Sequence, residues 1–285
     1  MDEILIRFEN LKDKNPLKAL HLIKQALIQD PKNFDYLVSL ATHFSKINEI
    51  EKALIYFEKA QRVAAFDDHT TFAYAITLMK DGQYKLAIKQ FNKLNDVFPE
   101  SYYNSALCYV RMNDLKKAVL EAENLDKHEM LGRESLRLII DIYNFSRDSV
   151  KLKSALNKYK VKYGDDDYYH LISGRDAYLK SNFLEVVYHF SRIKEEENEQ
   201  NMYLNEYAFS LCKIKRFDKA VLVYQEIIEK GQPTEYVLYE YIEVLFQLNR
   251  FHDVLDVLKK YKSIIKNKEK IHEIEAKVRY KLELE

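Results

Sequence analysis

Apolar residues recur along the chain at i, i+3 and i+4 in short blocks, and the blocks themselves recur. The segments LKALHLIKQALIQDP, IEKALIYFEKA, YKLAIKQFNKL, LKKAVLEAENL, VKLKSALNKY, FLEVVYHFSRI, FDKAVLVYQEI and FHDVLDVLKKY align on Ala19, Ala53, Ala87, Ala118, Leu152, Val186, Ala220 and Val254. A 34-residue step separates them throughout, except for a 31-residue step between Ala87 and Ala118. A second register stands twelve positions upstream, at Arg7, Ala41, Ala75, Ala106, Ile140, Gly174, Ala208 and Ile242. Nine of these 16 positions are Ala, where the 18 alanines among 285 residues would place about one by chance. Two antiparallel helices that cross closely need a small side chain on each at the contact, with larger ones around it. The larger layer is present: Phe44, Leu78, Tyr109 and Tyr143 stand three positions after the upstream register, and Ile23, Phe57, Phe91 and Phe190 four positions after the downstream one. The pattern therefore predicts, in every period, two amphipathic helices packed as a hairpin. Turns such as KDGQ and RMND join them, and Pro31, Pro99 and Pro233 fall where second helices end.

At this spacing the sequence resembles the tetratricopeptide repeat family, whose 34-residue pattern is W-x2-L-G-x2-Y, then Ala-x3-Phe, then Pro. The second repeat carries it most fully, with Leu37-x2-Leu40-Ala41-x2-Phe44 followed by Ala53-x3-Phe57-x2-Ala60. The resemblance implies an all-α fold, a right-handed superhelical solenoid of about eight helix-turn-helix repeats. Their expected bounds are 1–33, 34–67, 68–98, 99–132, 133–166, 167–200, 201–234 and 235–262, with a C-terminal capping helix in 263–285. Ile271, Ile274, Val278 and Leu282 form the single apolar stripe of that cap, which a solenoid needs to cover its last repeat. The chain departs from the family pattern in three ways. The tryptophan is missing everywhere, the first helix of repeat one is short and polar, and repeats five and eight lack both alanines. Repeat five is accordingly expected to be a bend or seam, and the 31-residue step to tighten the connection around Pro99, Glu100 and Ser101.

Composition agrees with a helical core. Hydrophobic residues make up 47% and charged ones 32%, while five Gly and four Pro are too few for a β-domain or for long loops. Forty-five basic residues balance forty-five acidic ones, so no global field draws the chain to nucleic acid or to an anionic membrane. Cys108 and Cys212 form no CxxC or Cys/His spacing, which favours a reducing compartment over a disulfide framework. The acidic N-terminal residues do not read as a signal peptide and no stretch of about 20 apolar residues exists. The expected location is the cytoplasm.

Catalysis needs convergent nucleophiles, acids, metal ligands or a phosphate cradle. The five glycines form neither GxGxxG nor a P-loop, and the eight histidines show no HExxH or paired spacing, so neither an enzyme, a metal site nor a cofactor is expected. Asp67 and Asp68 before His69, and Asp165 to Asp167 before His170, precede first helices and read as caps. Glu195, Glu196, Glu197 and Glu199 read as a solvated extension, as do the lysines from Lys259 to Lys270.

Function then rests on the surface that first helices line in the family, at the second, fifth, ninth, twelfth and thirteenth positions of a repeat. Carried over by resemblance, these place Lys46, Phe72, Lys80, Tyr103, Arg111, Arg137, Asn144, Arg175, Tyr178, Phe209, Lys213 and Tyr239 on a concave groove. Aromatic and Arg anchors dominate binding at interfaces. The carboxylate clamp of chaperone-binding members is missing from repeats two to four, where Val38 with Thr42, Phe72 with Ile76, and Tyr103 with Leu107 occupy its positions. Arg137, Asn144 and Arg175 stand out as the place for an acidic or phosphorylated group. The expected function is a non-catalytic protein-protein interaction module, a cytoplasmic adaptor or assembly chaperone whose partner is protein or peptide, self-association included. The alternatives are a peptide-sensing receptor and a non-catalytic scaffold subunit of an enzyme complex.

Overall fold

The computed structural model describes residues 2–128, 131–194, 202–231 and 233–283, which hold seventeen α-helices and no strand. The acidic run from Glu195 to Glu199 lies outside the described residues. The chain divides into two compact units, Met1–Ala155 and Leu156–Glu285, and the division falls within the second helix of repeat five. In the first unit the helices are α1 (Glu3–Lys12), α2 (Pro16–Gln29), α3 (Phe34–Lys46), α4 (Ile50–Gln61), α5 (Asp68–Lys80), α6 (Tyr84–Phe91), α7 (Glu100–Arg111), α8 (Leu115–Leu125) and α9 (Gly132–Phe145). Helix α10 (Ser149–Tyr163) carries the division. The second unit continues with α11 (Asp167–Leu179), α12 (Phe183–Phe190), α13 (Met202–Lys213), α14 (Phe217–Lys230), α15 (Glu235–Gln247), α16 (Phe251–Lys260) and α17 (Lys268–Leu282). None of the described helices is long and apolar enough to cross a membrane.

Within each unit, consecutive helices pack as hairpins, and each hairpin packs on the next. All eight residues of the downstream register, from Ala19 to Val254, are at most 2% exposed. Seven of the eight in the upstream register are buried as well. The exception is Arg7, which is exposed, while its neighbour Phe8 is buried in its place.

The turns explain that slip. In hairpins two to eight the residue five before the downstream register has a positive φ: Asn48, Gly82, Asn113, Arg147, Ser181, Lys215 and Asn249, between 55° and 80°. Each follows the same C-terminal closure, in which the next N–H reaches the carbonyl five positions back, as in Glu49 to Phe44 (2.9 Å) and Arg216 to Leu211 (2.8 Å). This is the Schellman arrangement, and it sets the rotation of the first helix relative to the second. Hairpin one closes instead from the Asn15 N–H to the Leu11 carbonyl (2.7 Å), with no left-handed residue. Its first helix is therefore rotated by one position, and Phe8 takes the contact expected of residue 7.

A second device repeats at some of these turns. Lys52, Lys117 and Lys151 each pair with the acid three positions earlier and lie over the ring at the end of the preceding helix, Phe44, Tyr109 and Tyr143. Helix starts are capped by side chains that accept a backbone N–H, among them Asn33 from Tyr36, Asp67 from Thr70, Asp166 from Tyr169 and Thr234 from Val237. At the 31-residue step α6 is only two turns long, but α12 is equally short at a full 34-residue step, so helix length alone does not set the period. After α6 the chain turns through Leu94, which is buried, to bring Phe98 against Phe72 and His69.

The last helix continues the period. Ala276 lies one full period after Ile242, so α17 occupies the phase of a ninth first helix. Ile271, Ile274 and Val278 are buried and join the core of the α15–α16 hairpin. His272 and Arg279 of the same helix are exposed.

Candidate functional site

In the first unit the expected groove residues stand on α3, α5, α7 and α9, each placed by the repeat phase. Lys46 and Arg111 are exposed in the last turns of α3 and α7. Lys80, in the last turn of α5, donates from Nζ to the Ser45 carbonyl at the end of α3 (2.9 Å). Lys213 of the second unit likewise occupies the last turn of α13. A helix C-terminus carries partial negative charge and favours a cation by about 0.3–1 kcal/mol. These four cations thus complete helix ends as well as facing solvent. Phe72 is half-buried, its ring edge-on to Phe91 at 5.7 Å and beside Phe98 at 5.6 Å, so it belongs to the core around α5 and α6. Tyr103 remains 39% exposed. Arg137 and Asn144, half-buried on α9, belong to this unit, whereas Arg175 belongs to the second. A shallow hollow of about 410 Å³ marks the other end of the unit, over Leu11, Leu17 and Leu22 of α1 and α2.

The second unit gathers its candidates more closely. Tyr178 of α11 meets Phe209 of α13 edge-on at 6.1 Å, and Phe183 flanks the same ring at 6.0 Å. Tyr239 of α15 donates its hydroxyl to Glu235 (3.1 Å). Lys213 lies over Phe209 with Nζ 4.7 Å from the ring centre, and Lys270 of α17 lies over Tyr239 at 3.9 Å. Both lysine contacts are of the cation–π kind.

Between α15 and α17 the wall opens into a cleft of about 480 Å³. Ile242, Phe246, Phe251 and Ile274 form its floor; Phe246 and Phe251 meet edge-on at 5.7 Å. Glu240, Glu243 and Gln247 rise from α15, facing Lys270, Glu273, Lys277 and Lys281 of α17. The Lys277 ammonium donates to Glu273 (2.6 Å), which holds that carboxyl below its ordinary range and the lysine above its own. Its rim is more charged than that of an ordinary small-molecule pocket, a form closer to a surface that a polypeptide segment would cover.

Two carboxylates on this wall were not singled out from the sequence. Glu206 and Glu240 occupy the sixth position of repeats seven and eight, one helical turn after the second position and on the same face. Burial raises the Glu206 carboxyl above the ordinary range, and the Arg175 charge opposes that shift. Burial, and after it the fields of Glu206 and Glu240, raise the Tyr178 hydroxyl. The signal that would have found them is the i+4 step along the stripe, from Tyr236 to Glu240.

Four further sequence candidates have structural roles. Asp67 and Asp166 cap helices, as their position before first helices suggested, while His69 leans on Phe98 at 5.0 Å. His170 is buried with His189, their Nδ1 atoms 3.0 Å apart in a shared hydrogen bond. Burial lowers both imidazoles, and His189 reaches about 4. No group of three His, Cys, Asp or Glu side chains among the described residues is placed to hold a metal ion.

No protein-family model and no curated protein sequence matches the chain. Solved structures do resemble it. A tetratricopeptide repeat protein from Parabacteroides merdae ATCC 43184 aligns with a TM-score of 0.54 and 13% identity, over 86% of this chain and 98% of that one. PilW, a type IV pilus biogenesis factor, aligns with a TM-score of 0.53 and 14% identity, over 73% of this chain and 96% of its own. At such identities the likeness speaks for architecture.

Proposed function

We propose, from a chain that carries the tetratricopeptide-repeat fold, that it is a non-catalytic interaction module holding a segment of another protein along its first helices, as an adaptor or assembly chaperone. The observation that carries this reading is the open cleft between α15 and α17, whose apolar floor at Phe246 and Phe251 lies among charged rims. A helix or extended segment could seat apolar side chains there and pair its polar groups above. The balanced charge of 45 basic and 45 acidic residues supports a protein over a nucleic-acid partner. Cys108 and Cys212, in no disulfide and each raised to about 11 by burial, support a cytoplasmic setting.

The groove reading is tested by blocking the cleft from Glu243, whose side-chain hydrogen bond, accepted from Gln247, is exposed at the surface. Glu243 is exposed, so Glu243→Trp fills the space without disturbing the core. Purification of the native chain with its associated proteins, compared with this variant, is expected to show loss of at least one partner at unchanged helicity. Retention of every partner would overturn the reading.

A further inference from the structure

Glu206 and Glu240 stand one repeat period apart on α13 and α15, first helices that touch within the second unit. Neither is paired in the ordinary way. The Glu206 Oε2 atom is turned inward and accepts no hydrogen bond among the described residues, while the residue as a whole is half-buried and reaches the surface. The cation that acts on it, Arg175 on α11, does so through space by its charge. Glu240 stands one helical turn after Tyr236 on α15, and its charge acts on Tyr236, Tyr178, Tyr224 and Cys212. A buried carboxylate oxygen without a donor is rare in folded proteins, because the fold has removed its water and put nothing in return.

The surroundings select the kind of group that would complete it. Tyr178 meets the ring of Phe209, one turn after Glu206 on α13, and feels the charge of both carboxylates, while Tyr236, 62% exposed, stands one turn before Glu240. The same wall already holds lysines on ring faces, Lys213 on Phe209 and Lys270 on Tyr239. An incoming carboxylate or phosphate would meet two like charges here. An incoming cation would meet two opposite charges and aromatic faces, the combination that recognises ammonium and guanidinium groups. We propose that the wall of α11, α13 and α15 recognises a lysine or arginine side chain of the partner segment, its cation set between Glu206 and Glu240 against Tyr178 and Tyr236. This rests on the groove reading and gives it a polarity opposite to the acidic ligand expected around Arg137, Asn144 and Arg175. The neighbouring cleft over Phe246 takes the apolar residue that follows or precedes the cation.

The test uses the full chain, fluorescently labelled, against immobilised pools of acetylated and amidated octapeptides whose central residue is fixed as Arg, Lys, citrulline or Glu. Arg and Lys pools are expected to bind about tenfold more tightly than the citrulline pool, which has nearly the shape of Arg without its charge. Glu206→Gln with Glu240→Gln should abolish that difference, while Arg175→Gln, which removes a competing cation, should widen it. Both glutamine changes keep volume, and Glu240→Gln alone serves as the milder variant. Equal binding of Arg and citrulline pools, preference for the Glu pool, or unchanged discrimination in the double variant overturns the cation assignment and leaves the groove standing. Absence of binding by every pool, with Glu243→Trp also without effect on native partners, overturns the groove itself.

Discussion

Lys215 and Arg147 hold a backbone conformation that suits glycine. Both sit at positive φ, 59° and 56°, in turns whose geometry Gly82 meets without a Cβ. The left-handed region costs an ordinary residue about 1 kcal/mol, and the extra freedom of glycine in the unfolded chain returns part of that. Lys215→Gly and Arg147→Gly should each raise stability by about 0.5 kcal/mol, read as a shift in urea midpoint at constant slope. Gly174 makes the opposite case. It stands in a register where four other repeats carry alanine, yet a Cβ there would lie 2.3 Å from Phe190 Cε1. Gly174→Ala should therefore destabilise by about 1–3 kcal/mol, and Phe190→Leu in the same chain should recover part of the loss. Periodicity alone could locate the small-residue contacts, because a helix crossing tolerates few side chains. It could not separate Ala from Gly at residue 174, since that depends on how closely α11 and α12 approach. Arg7 escaped for a related reason: no residue type announces that the first turn lacks a left-handed residue. Glu206 and Glu240 escaped because the family positions used to draw the groove omit the sixth.

Among elements, the α11–α12 hairpin carries an acid-sensitive joint. His170 and His189 share one proton across their Nδ1 atoms, and the fold keeps both rings neutral. In the unfolded chain an imidazole protonates near pH 6.5. Stability is thus complete above that pH and falls below it by about 1.4 kcal/mol per pH unit for each ring that stays neutral in the fold. The loss from His189 levels off beneath its native value of about 4. Urea midpoints measured from about pH 7.5 to about pH 4.5 should show this slope, and His170→Leu with His189→Leu should reduce it, leaving the share of His43, which burial lowers likewise. Helix α17 invites a different measurement. Removing residues 263–285 uncovers the apolar side of α15 and α16, which Ile271, Ile274 and Val278 now cover. The truncated chain should lose midpoint and associate with rising concentration, as seen by light scattering. Helix α17 and the hairpins were legible because their apolar stripes follow the helical period. The division inside α10 was only hinted at, through the loss of both alanines in repeat five.

For the whole molecule, charge is the simplest quantity. With 45 basic and 45 acidic residues and an isoelectric point near 7.1, the chain repels its own copies least at neutral pH. Its solubility should pass through a minimum there and rise on either side, in a plain precipitation titration at low salt. Repetition has a less obvious logic. Helix α17 stands in step with the hairpins before it, Ala276 one full period beyond Ile242, and differs from them in what it shows to water. A helix built in phase with the hairpins it packs on is indifferent to how many units precede it. Gene duplication could therefore add or delete a whole repeat upstream of residue 250 and leave both the left-handed joints and α17 in register. The array is, in that sense, a count of units, and its reach along a partner could change in whole steps without any new structure being invented.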